Sequence, residues 1–286
     1  MATDPATGAR PVPFATRFAP SPTGHLHKGH AFSALTAWQA AEDAHGRFVL
    51  RIEDIDATRC RREFEASILE DLAWLGLSWE QPVRRQSEHL ADYHAAIDTL
   101  RTRDLVYRCF RTRRAIAEDI ARAPHGPAEA WRGAPLAPDE ERRRLEAGEA
   151  FAWRLSLDAA ERALGGFAHL TFVDQDRGVV RAEPQRAGDI VLARKDVGVA
   201  YHLAVVVDDA LQAITHVIRG EDLAEAAHIQ RLLQALLDLP TPLYRHHRLL
   251  TGPDGKRLAK RDRAETLREL RARGVTAQAL RAELGF

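Results

Sequence analysis

Cysteine is nearly absent. Cys60 and Cys109 are the only two and form no Cys-x-x-Cys pair, which excludes a disulfide-built scaffold and agrees with a reducing compartment. Long apolar runs are absent too. Nothing approaches the roughly 20 residues needed to cross a bilayer, and Met1 to Pro13 holds no apolar signal block. A cytoplasmic chain with no membrane partner is expected. Net charge is zero, with 41 basic residues against 41 acidic, so any nucleic-acid surface must be local. Lysine is scarce: Lys28, Lys195, Lys256 and Lys260 are the only four, and three of them fall in the two motifs described below. Either an arginine-biased composition leaves chance survivors, or a compact ammonium on a flexible stem suits a mobile phosphate contact better than a planar guanidinium.

What is present is ample core material: 45% of the 286 residues are apolar, enough for one large domain or two modest ones. Residues 1–13, rich in Ala, Pro, Thr and Gly, read as a disordered leader. Phe14 to Ala19 predicts a short buried strand, Pro20 to Gly29 a turn-rich loop, and His30 to Ala44 a helix through Phe32, Leu35 and Trp38 that Gly46 stops. A second strand is expected at Phe48 to Ile52. Strand, glycine-containing loop, helix and strand open a Rossmann-type, doubly wound parallel α/β sheet, whose ligands sit at the carboxyl ends of the strands.

Thr58 is expected to cap a helix burying Phe64, Ile68, Leu72 and Leu75, and a helix from Ser87 to bury Leu90, Tyr93, Ile97 and Leu100. Residues 14–104 thus read as the first half of the Rossmann-type domain. Over 105–197 the texture changes to an inserted α+β module, with a charged, solvated helix from Pro138 to Ala147 and period-two alternation from Phe151 to Leu157. Buried strands are predicted at Tyr201 to Val207 and Ile214 to Ile218, and a helix at Ala224 to Leu237, within a second half spanning 198–262. Residues 263–286 leave room for two short helices. No internal repeat or low-complexity tract is found.

The most specific constellation is Pro20-Ser21-Pro22-Thr23-Gly24-His25-Leu26-His27-Lys28-Gly29-His30, between the first strand and first helix. A helix amino terminus offers unpaired N–H groups and partial positive charge to a phosphate. Gly29 lets a nucleotide come close to the backbone, and His27 and His30 can donate to phosphate oxygens. An ATP cradle is the reading; the bland one is a surface turn whose histidines cap a helix. The partner motif, Gly252-Pro253-Asp254-Gly255-Lys256-Arg257-Leu258-Ala259-Lys260-Arg261, lies more than two hundred residues on. Alone it is an ordinary basic loop. Paired with the first, it supplies a flexible lysine that can close over the phosphates and stabilise charge developing during transfer at the α-phosphate.

These motifs come with Arg17-Phe18-Ala19-Pro20-Ser21-Pro22-Thr23-Gly24, Arg51-Ile52-Glu53-Asp54-Ile55-Asp56, Trp74-Leu75-Gly76-Leu77, Tyr201-His202-Leu203-Ala204-Val205-Val206-Val207-Asp208-Asp209 and Val217-Ile218-Arg219-Gly220-Glu221-Asp222. Together they resemble the class I aminoacyl-tRNA synthetases of the glutamyl type, over roughly residues 14–262, with a weak match in the inserted module. The resemblance implies ATP-dependent activation of L-glutamate, with Arg17, Phe18, Ala19, Pro20, Ser21, Glu53, Tyr201 and Arg219 at the amino acid. It places Pro20, His27, Gly29, His30, Arg257, Leu258 and Lys260 at ATP, with His27, His30 and Lys260 catalytic. The charge logic is independent of the family: glutamate asks for arginines opposite its carboxylates and a carboxylate opposite its ammonium. Arg17 is assigned to the side-chain carboxylate with Arg219 assisting, and Glu53 to the ammonium; for each residue alone, a surface ion pair is the ordinary alternative.

Two departures stand out. Where the family's mobile loop reads Lys-Met/Leu-Ser-Lys, this chain has Arg257-Leu258-Ala259-Lys260, which keeps the charge and changes the phosphate geometry, so Lys260 carries the main expectation. Glutamyl members also continue into a substantial anticodon-binding region, whereas 24 residues follow Asp262 here. A short form of the family transfers glutamate to queuosine at the wobble position of tRNA-Asp, which makes tRNA-Asp the expected partner. That short form often holds zinc in the inserted module. Here Cys109 alone is left, Arg111 stands at the second cysteine position and His125 is the remaining nitrogen donor, so no zinc is expected. Mg²⁺ is expected with ATP, held by phosphates and water, and the protein is expected to be a monomer. Arg111, Arg113 and Arg114 are candidate RNA phosphate contacts. Other readings stay open: a compact synthetase charging the terminal adenosine of tRNA, a small-molecule adenylyltransferase, and a non-catalytic RNA-binding paralogue.

Overall fold

A computed structural model of the chain describes residues 13–112, 114–116, 130–194, 198–250 and 265–286. The expected leader before Pro13, Arg113, His125, Lys195 and the loop carrying Lys256, Arg257, Leu258 and Lys260 lie outside the described residues.

β1 (Ala15–Phe18) is buried at every position and β2 (Arg47–Ile52) at all but its first, and they pair in parallel, Ala15 with Arg47 through Phe18 with Leu50. Their crossover is α1 (Lys28–Asp43), which buries Ala31, Ala34, Leu35, Ala37 and Ala41 against the sheet. It starts two residues before the expected His30 because His27 caps it. Gly46, where the chain re-enters the sheet, passes so close to Phe14 that a Cβ would lie 2.5 Å from the Phe14 carbonyl oxygen. Only glycine fits such an approach.

α2 (Arg62–Trp74) buries Ile68 and Leu72 as its spacing predicts, with Leu75 just beyond, while Phe64 is half-buried. Its N-cap is Arg61; the expected cap, Thr58, instead bonds the Asp56 carboxylate. β3 (Arg84–Arg85) then pairs parallel to β2, and α3 (Leu90–Thr102) buries Tyr93, Ile97 and Leu100 while Leu90 stays exposed.

The next stretch contains β4 (Val106–Cys109), α4 (Pro138–Glu146), β5 (Ala152–Leu155), α5 (Leu157–Leu164), β6 (Thr171–Asp174), β7 (Gly178–Arg181), β8 (Val191–Arg194) and β9 (Gly198–Val199). β4, β5, β8 and β9 form an antiparallel sheet in that order. The β6–β7 hairpin leaves it and adds to the edge of the second half-sheet. α4 buries nothing and is laced with ion pairs from Glu140 to Arg143 and Arg144.

One expectation is overturned outright: Tyr201 to Val207 is not a strand. It opens α6 (Tyr201–Leu211), in which Leu203 through Asp209 are all buried. A helix enclosed on all sides shows the same unbroken apolar run as an interior strand, so periodicity cannot separate them. β10 (His216–Gly220), α7 (Ala226–Leu236) and β11 (Leu243–His247) complete a second parallel β-α-β unit, with Tyr244 of β11 paired to Asp174 of β6.

β1 and β10 meet edge to edge. The Thr215 N–H donates to the Ala15 carbonyl (2.9 Å), the Ala15 N–H to Thr215 Oγ1 (2.8 Å), and Arg17 Nη1 reaches the Ile218 carbonyl (3.5 Å). These pairs advance in one direction along both strands, so the spatial order is β3-β2-β1-β10-β11. The order reverses between β1 and β10, the switch point at which such sheets open a ligand crevice.

Two apolar cores flank that line. One joins α1, α2 and β2 to the terminal helices α8 (Leu267–Ala272) and α9 (Ala277–Leu284) through Leu35, Leu72, Leu270 and Leu280. The other joins α3, α6 and α7 to Leu155, Leu157 and Leu192, so the inserted stretch shares its core with the second half. No described helix is long and apolar enough to cross a membrane.

Candidate active site

Beyond β1 the loop is pinned by its own backbone. The Pro20 carbonyl accepts from the Glu53 N–H (3.0 Å), the Pro22 carbonyl from Arg61 (3.0 Å), and the Ser21 carbonyl from Thr23 (2.8 Å). Prolines donate no N–H, but their carbonyls still tie the loop to the end of β2 and the start of α2. His25 turns away to Ser67 Oγ (2.9 Å) and the edge of Phe64, which gives it a structural place.

His27 and His30 cap α1 reciprocally. His27 Nδ1 accepts the Gly29 N–H (3.1 Å), and His30 Nδ1 accepts the His27 N–H (3.2 Å). An Nδ1 that accepts carries no proton, so each neutral ring bears its hydrogen on Nε2 and is a donor there. The rings lie close together, with centroids 3.8 Å apart and their planes tilted by 34°. A Cβ on Gly29 would sit 3.0 Å from His27 Cε1, so this glycine makes room for the capping ring.

The C-terminal helices return to this loop. Thr266 bridges His27 and the Leu267 N–H donates to the Leu26 carbonyl (2.8 Å), while Glu283 pairs with Lys28 (2.5 Å).

Below the loop lies a cleft of about 540 Å³. Its walls bring together Arg17, Phe18, Ala19, Pro20, Ser21, His27, Gly29, His30, Glu53, Tyr201 and Arg219, every site residue expected from sequence that is described. Behind Arg17 and Glu53 lies a charge network whose other members, Arg51, Asp208 and Asp209, do not line the cleft and were given no role from sequence. Arg51, fully buried in β2, contacts Asp209 Oδ1 (2.8 Å) and Glu53 Oε1 (3.1 Å), and Arg17 Nε reaches the same Asp209 oxygen (3.2 Å). Asp208 next to it receives Arg84 (2.7 Å), Gln86 (2.8 Å) and both carboxylate contacts of Tyr93 OH (3.0 and 2.9 Å). Burial works against charge on Arg51, yet Asp209, Glu53 and Asp208 hold its pKa above the ordinary arginine value. Burial likewise opposes ionised Asp209, but Arg17 and Arg51 keep its pKa below the usual carboxylate range. At Glu53 burial wins and the pKa rises.

Arg219 differs from Arg17. Its direct partners are neutral: Nε donates to His246 Nε2 (3.2 Å) and Nη1 to Gln230 Oε1 (2.9 Å), while Nη2 is buried with no hydrogen-bond partner among the described residues. A buried guanidinium without a direct counter-charge is costly unless a ligand supplies one.

Comparison with known proteins fits this geometry. The family model for class I tRNA synthetases (E and Q), catalytic domain, matches residues 13–285. The chain belongs to that family. It is a ligase of the aminoacyl-tRNA synthetase class. A Glutamyl-Q tRNA(Asp) synthetase of Rhodobacter capsulatus is 46% identical, covering 95% of this chain and 99% of the relative. One of Symbiobacterium thermophilum is 40% identical, over 94% of this chain and 85% of its own. A glutamate–tRNA ligase of Prochlorococcus marinus is 37% identical over 92% of this chain, which spans 56% of that protein. Among solved structures, a glutamate tRNA ligase from Elizabethkingia meningosepticum, in complex with its amino acid, superposes with a TM-score of 0.74 at 29% identity, over 87% of this chain and 52% of that one.

Within this class I fold, sequence reasoning missed Arg51, Asp208, Asp209, Gln230 and His246. A charged residue inside the buried run Phe48 to Ile52 was the available signal for Arg51, and the acidic pair closing an apolar run was the signal for Asp208 and Asp209. His246 had none. The family's zinc position does not fit a metal here. Cys109 is buried against Tyr107, Ile116 and Trp131, and Arg111 occupies the second cysteine position. Among the described residues no group of three His, Cys, Asp or Glu side chains is arranged to hold a metal ion. Arg111 and Arg114 are exposed on the inserted stretch.

Proposed function

We propose that this synthetase-family ligase activates L-glutamate with ATP in the cleft at the β1/β10 switch point, without requiring tRNA, and transfers the glutamyl group to queuosine at the wobble position of tRNA-Asp. The observation that carries the reading is the convergence of Arg17, Arg219 and Glu53 and the His27–Gly29–His30 helix start around one cleft. The identity to Glutamyl-Q tRNA(Asp) synthetases over nearly their whole length supports the acceptor.

In this mechanism the α-carboxylate of glutamate attacks the α-phosphorus of ATP, the bond to pyrophosphate breaks, and glutamyl-adenylate forms. The Nε2–H groups of His27 and His30 and the amino terminus of α1 stabilise the phosphoryl oxygens as charge develops. Arg219, with neutral partners, meets a substrate carboxylate. Arg17, already held by Asp209, serves as its companion, which reverses the order of the two expected from sequence. Glu53 faces the ammonium. Lys260 is the residue this reading assigns to the phosphates, an assignment supported by the described residues on either side of its segment, Leu250 in the cleft wall and Thr266 paired with His27. Mg²⁺ accompanying ATP would offset phosphate charge, and its coordination would be left largely to the phosphates and water.

The test is glutamate-dependent exchange of pyrophosphate into ATP without tRNA, with glutamine and aspartate as controls, followed by transfer to queuosine-containing tRNA-Asp. Exchange with glutamate alone, and transfer lost on tRNA-Asp lacking queuosine, is the expected result. A second reading, charging of the terminal adenosine, is favoured by the glutamate–tRNA ligase relatives. Exchange that requires tRNA, with transfer indifferent to queuosine, would establish it instead.

A further inference from the structure

Behind Arg219 a chain of three side chains crosses three neighbouring strands. Arg219 and His246 are register partners on β10 and β11, and β6 brings Asp174 alongside Tyr244 on β11. Partners across a sheet project from the same face, so the polar groups meet inside it. Arg219 Nε donates to His246 Nε2 (3.2 Å), and His246 Nδ1 lies 2.6 Å from Asp174 Oδ2.

Hydrogen-bond chemistry fixes every role along the chain. Arginine has no acceptor, so His246 Nε2 must be the unprotonated nitrogen, and the ring proton therefore sits on Nδ1 and is donated to Asp174. Asp174 is itself held, its Oδ1 accepting the N–H groups of Asp176 (3.0 Å) and Arg177 (3.2 Å) in the β6–β7 turn. Burial lowers the His246 pKa and so favours the neutral ring that can accept from Arg219. Gln230 takes Nη1, and the Tyr244 ring lies 5.4 Å from the guanidinium carbon. Two nitrogens and one face of the guanidinium are thus occupied, and Nη2 is the amino group left without a partner among the described residues, on a side chain that lines the cleft.

We propose that Asp174 and His246 are positioning residues, a buried relay that holds the Arg219 guanidinium in the orientation in which it meets a carboxylate of the amino-acid substrate. The inference rests on the reading that glutamate occupies this cleft. Neither residue touches the substrate. The relay acts by fixing the His246 tautomer, which fixes the Arg219 rotation, and pre-ordering of that kind lowers the cost of binding.

The experiment is steady-state pyrophosphate exchange on the full chain, with glutamate and ATP varied separately, for the wild type, His246→Phe, His246→Gln and Asp174→Asn. Phenylalanine keeps the ring and removes the acceptor; glutamine returns an acceptor oxygen near the place of Nε2. Asparagine at 174 puts an N–H against Nδ1 and drives the ring to its other tautomer, in which Nε2–H opposes Arg219. Loss of a buried bond to a charged group predicts a glutamate KM raised about tenfold or more in His246→Phe and Asp174→Asn. The ATP KM should stay within about twofold, and His246→Gln should recover most of the loss. Should His246→Phe fail to fold, Asp174→Asn against His246→Gln makes the same comparison at nearly unchanged volume.

A folded Asp174→Asn or His246→Phe with the wild-type glutamate KM overturns the relay while leaving the proposed function standing. Glutamate and ATP KM rising together, without rescue by glutamine, overturns it in favour of a merely structural role. A wild type with no exchange on glutamate, with or without tRNA, overturns the functional reading and the relay with it.

Discussion

Asp209 Oδ1 lies 2.8 Å from Arg51 Nη1, deep in the sheet, and Arg17 Nε reaches the same oxygen at 3.2 Å. One carboxylate thus connects a guanidinium that never sees solvent to one that lines the cleft. The site's electrostatics are set from beneath it, by residues that meet no ligand.

Asp209→Asn keeps the shape and removes that charge, leaving Arg51 and Arg17 short of a counter-ion in a buried setting. Breaking one side of a buried ion pair typically costs about 3–5 kcal/mol. Urea unfolding should show a loss of about that size, and the glutamate KM should rise as Arg17 loses its anchor. An unchanged unfolding midpoint would mean that the network does not stabilise the fold.

Much of the fold was legible because its signals are local. The turn-rich stretch after Phe18 marked the crossing from strand to helix, and Leu35, Ile68, Leu72 and Ile97 marked helix faces that do pack inward. α6 was not legible, since a helix buried all round has no polar face to set its period. Pairing of Asp174 with Tyr244, seventy residues later in the chain, left no trace in either segment. The cleft's walls could be read because their residues cluster in short motifs. Asp208 and Asp209 showed only as an acidic pair closing an apolar run, and His246 not at all, because such residues gain their meaning from partners far away in sequence.

The observed cap and the proposed donor role of His27 can be separated by magnitude. Replacing it with alanine removes the cap on the Gly29 N–H, a loss of about 1 kcal/mol of stability, and removes the Nε2–H donor at the start of α1. Loss of a preorganised donor to a developing oxyanion costs roughly 10²–10³ in rate. Thermal melting and pyrophosphate exchange on the same His27→Ala sample should therefore diverge, with a small fall in Tm and a large fall in kcat. A kcat within a few-fold of wild type would reduce His27 to a helix cap.

Lys260 lies in sequence between Leu250 and Thr266, both of which reach the site. Lys260→Ala should slow activation about tenfold or more, on the order of 1.4 kcal/mol, with the melting temperature unmoved. Lys256→Ala serves as the comparison. If the two variants lose equal activity, the loop acts as diffuse positive charge and the assignment to Lys260 fails.

Asp71 sets a pH dependence that has nothing to do with catalysis. It is fully buried on α2, both carboxylate oxygens lack a hydrogen-bond partner among the described residues, and Arg271 of α8 is its nearest cation at 3.7 Å. Burial pushes its pKa up to about 6, with Arg271 offsetting only part of that shift. A carboxyl whose pKa is higher folded than unfolded binds more protons in the native state. Its stabilisation is therefore full below about pH 4 and is lost as pH rises through about 6. Across that window a shift of about two pH units corresponds to at most about 3 kcal/mol. Asp71→Asn has no charge to bury, so its stability relative to wild type should climb between pH 4 and pH 7.5. Tm measured at both ends decides it: near-equality at pH 4 with the variant ahead at pH 7.5 supports a buried, costly charge between α2 and α8. A difference that stays the same at both pH values would show that Asp71 ionises as it does in water.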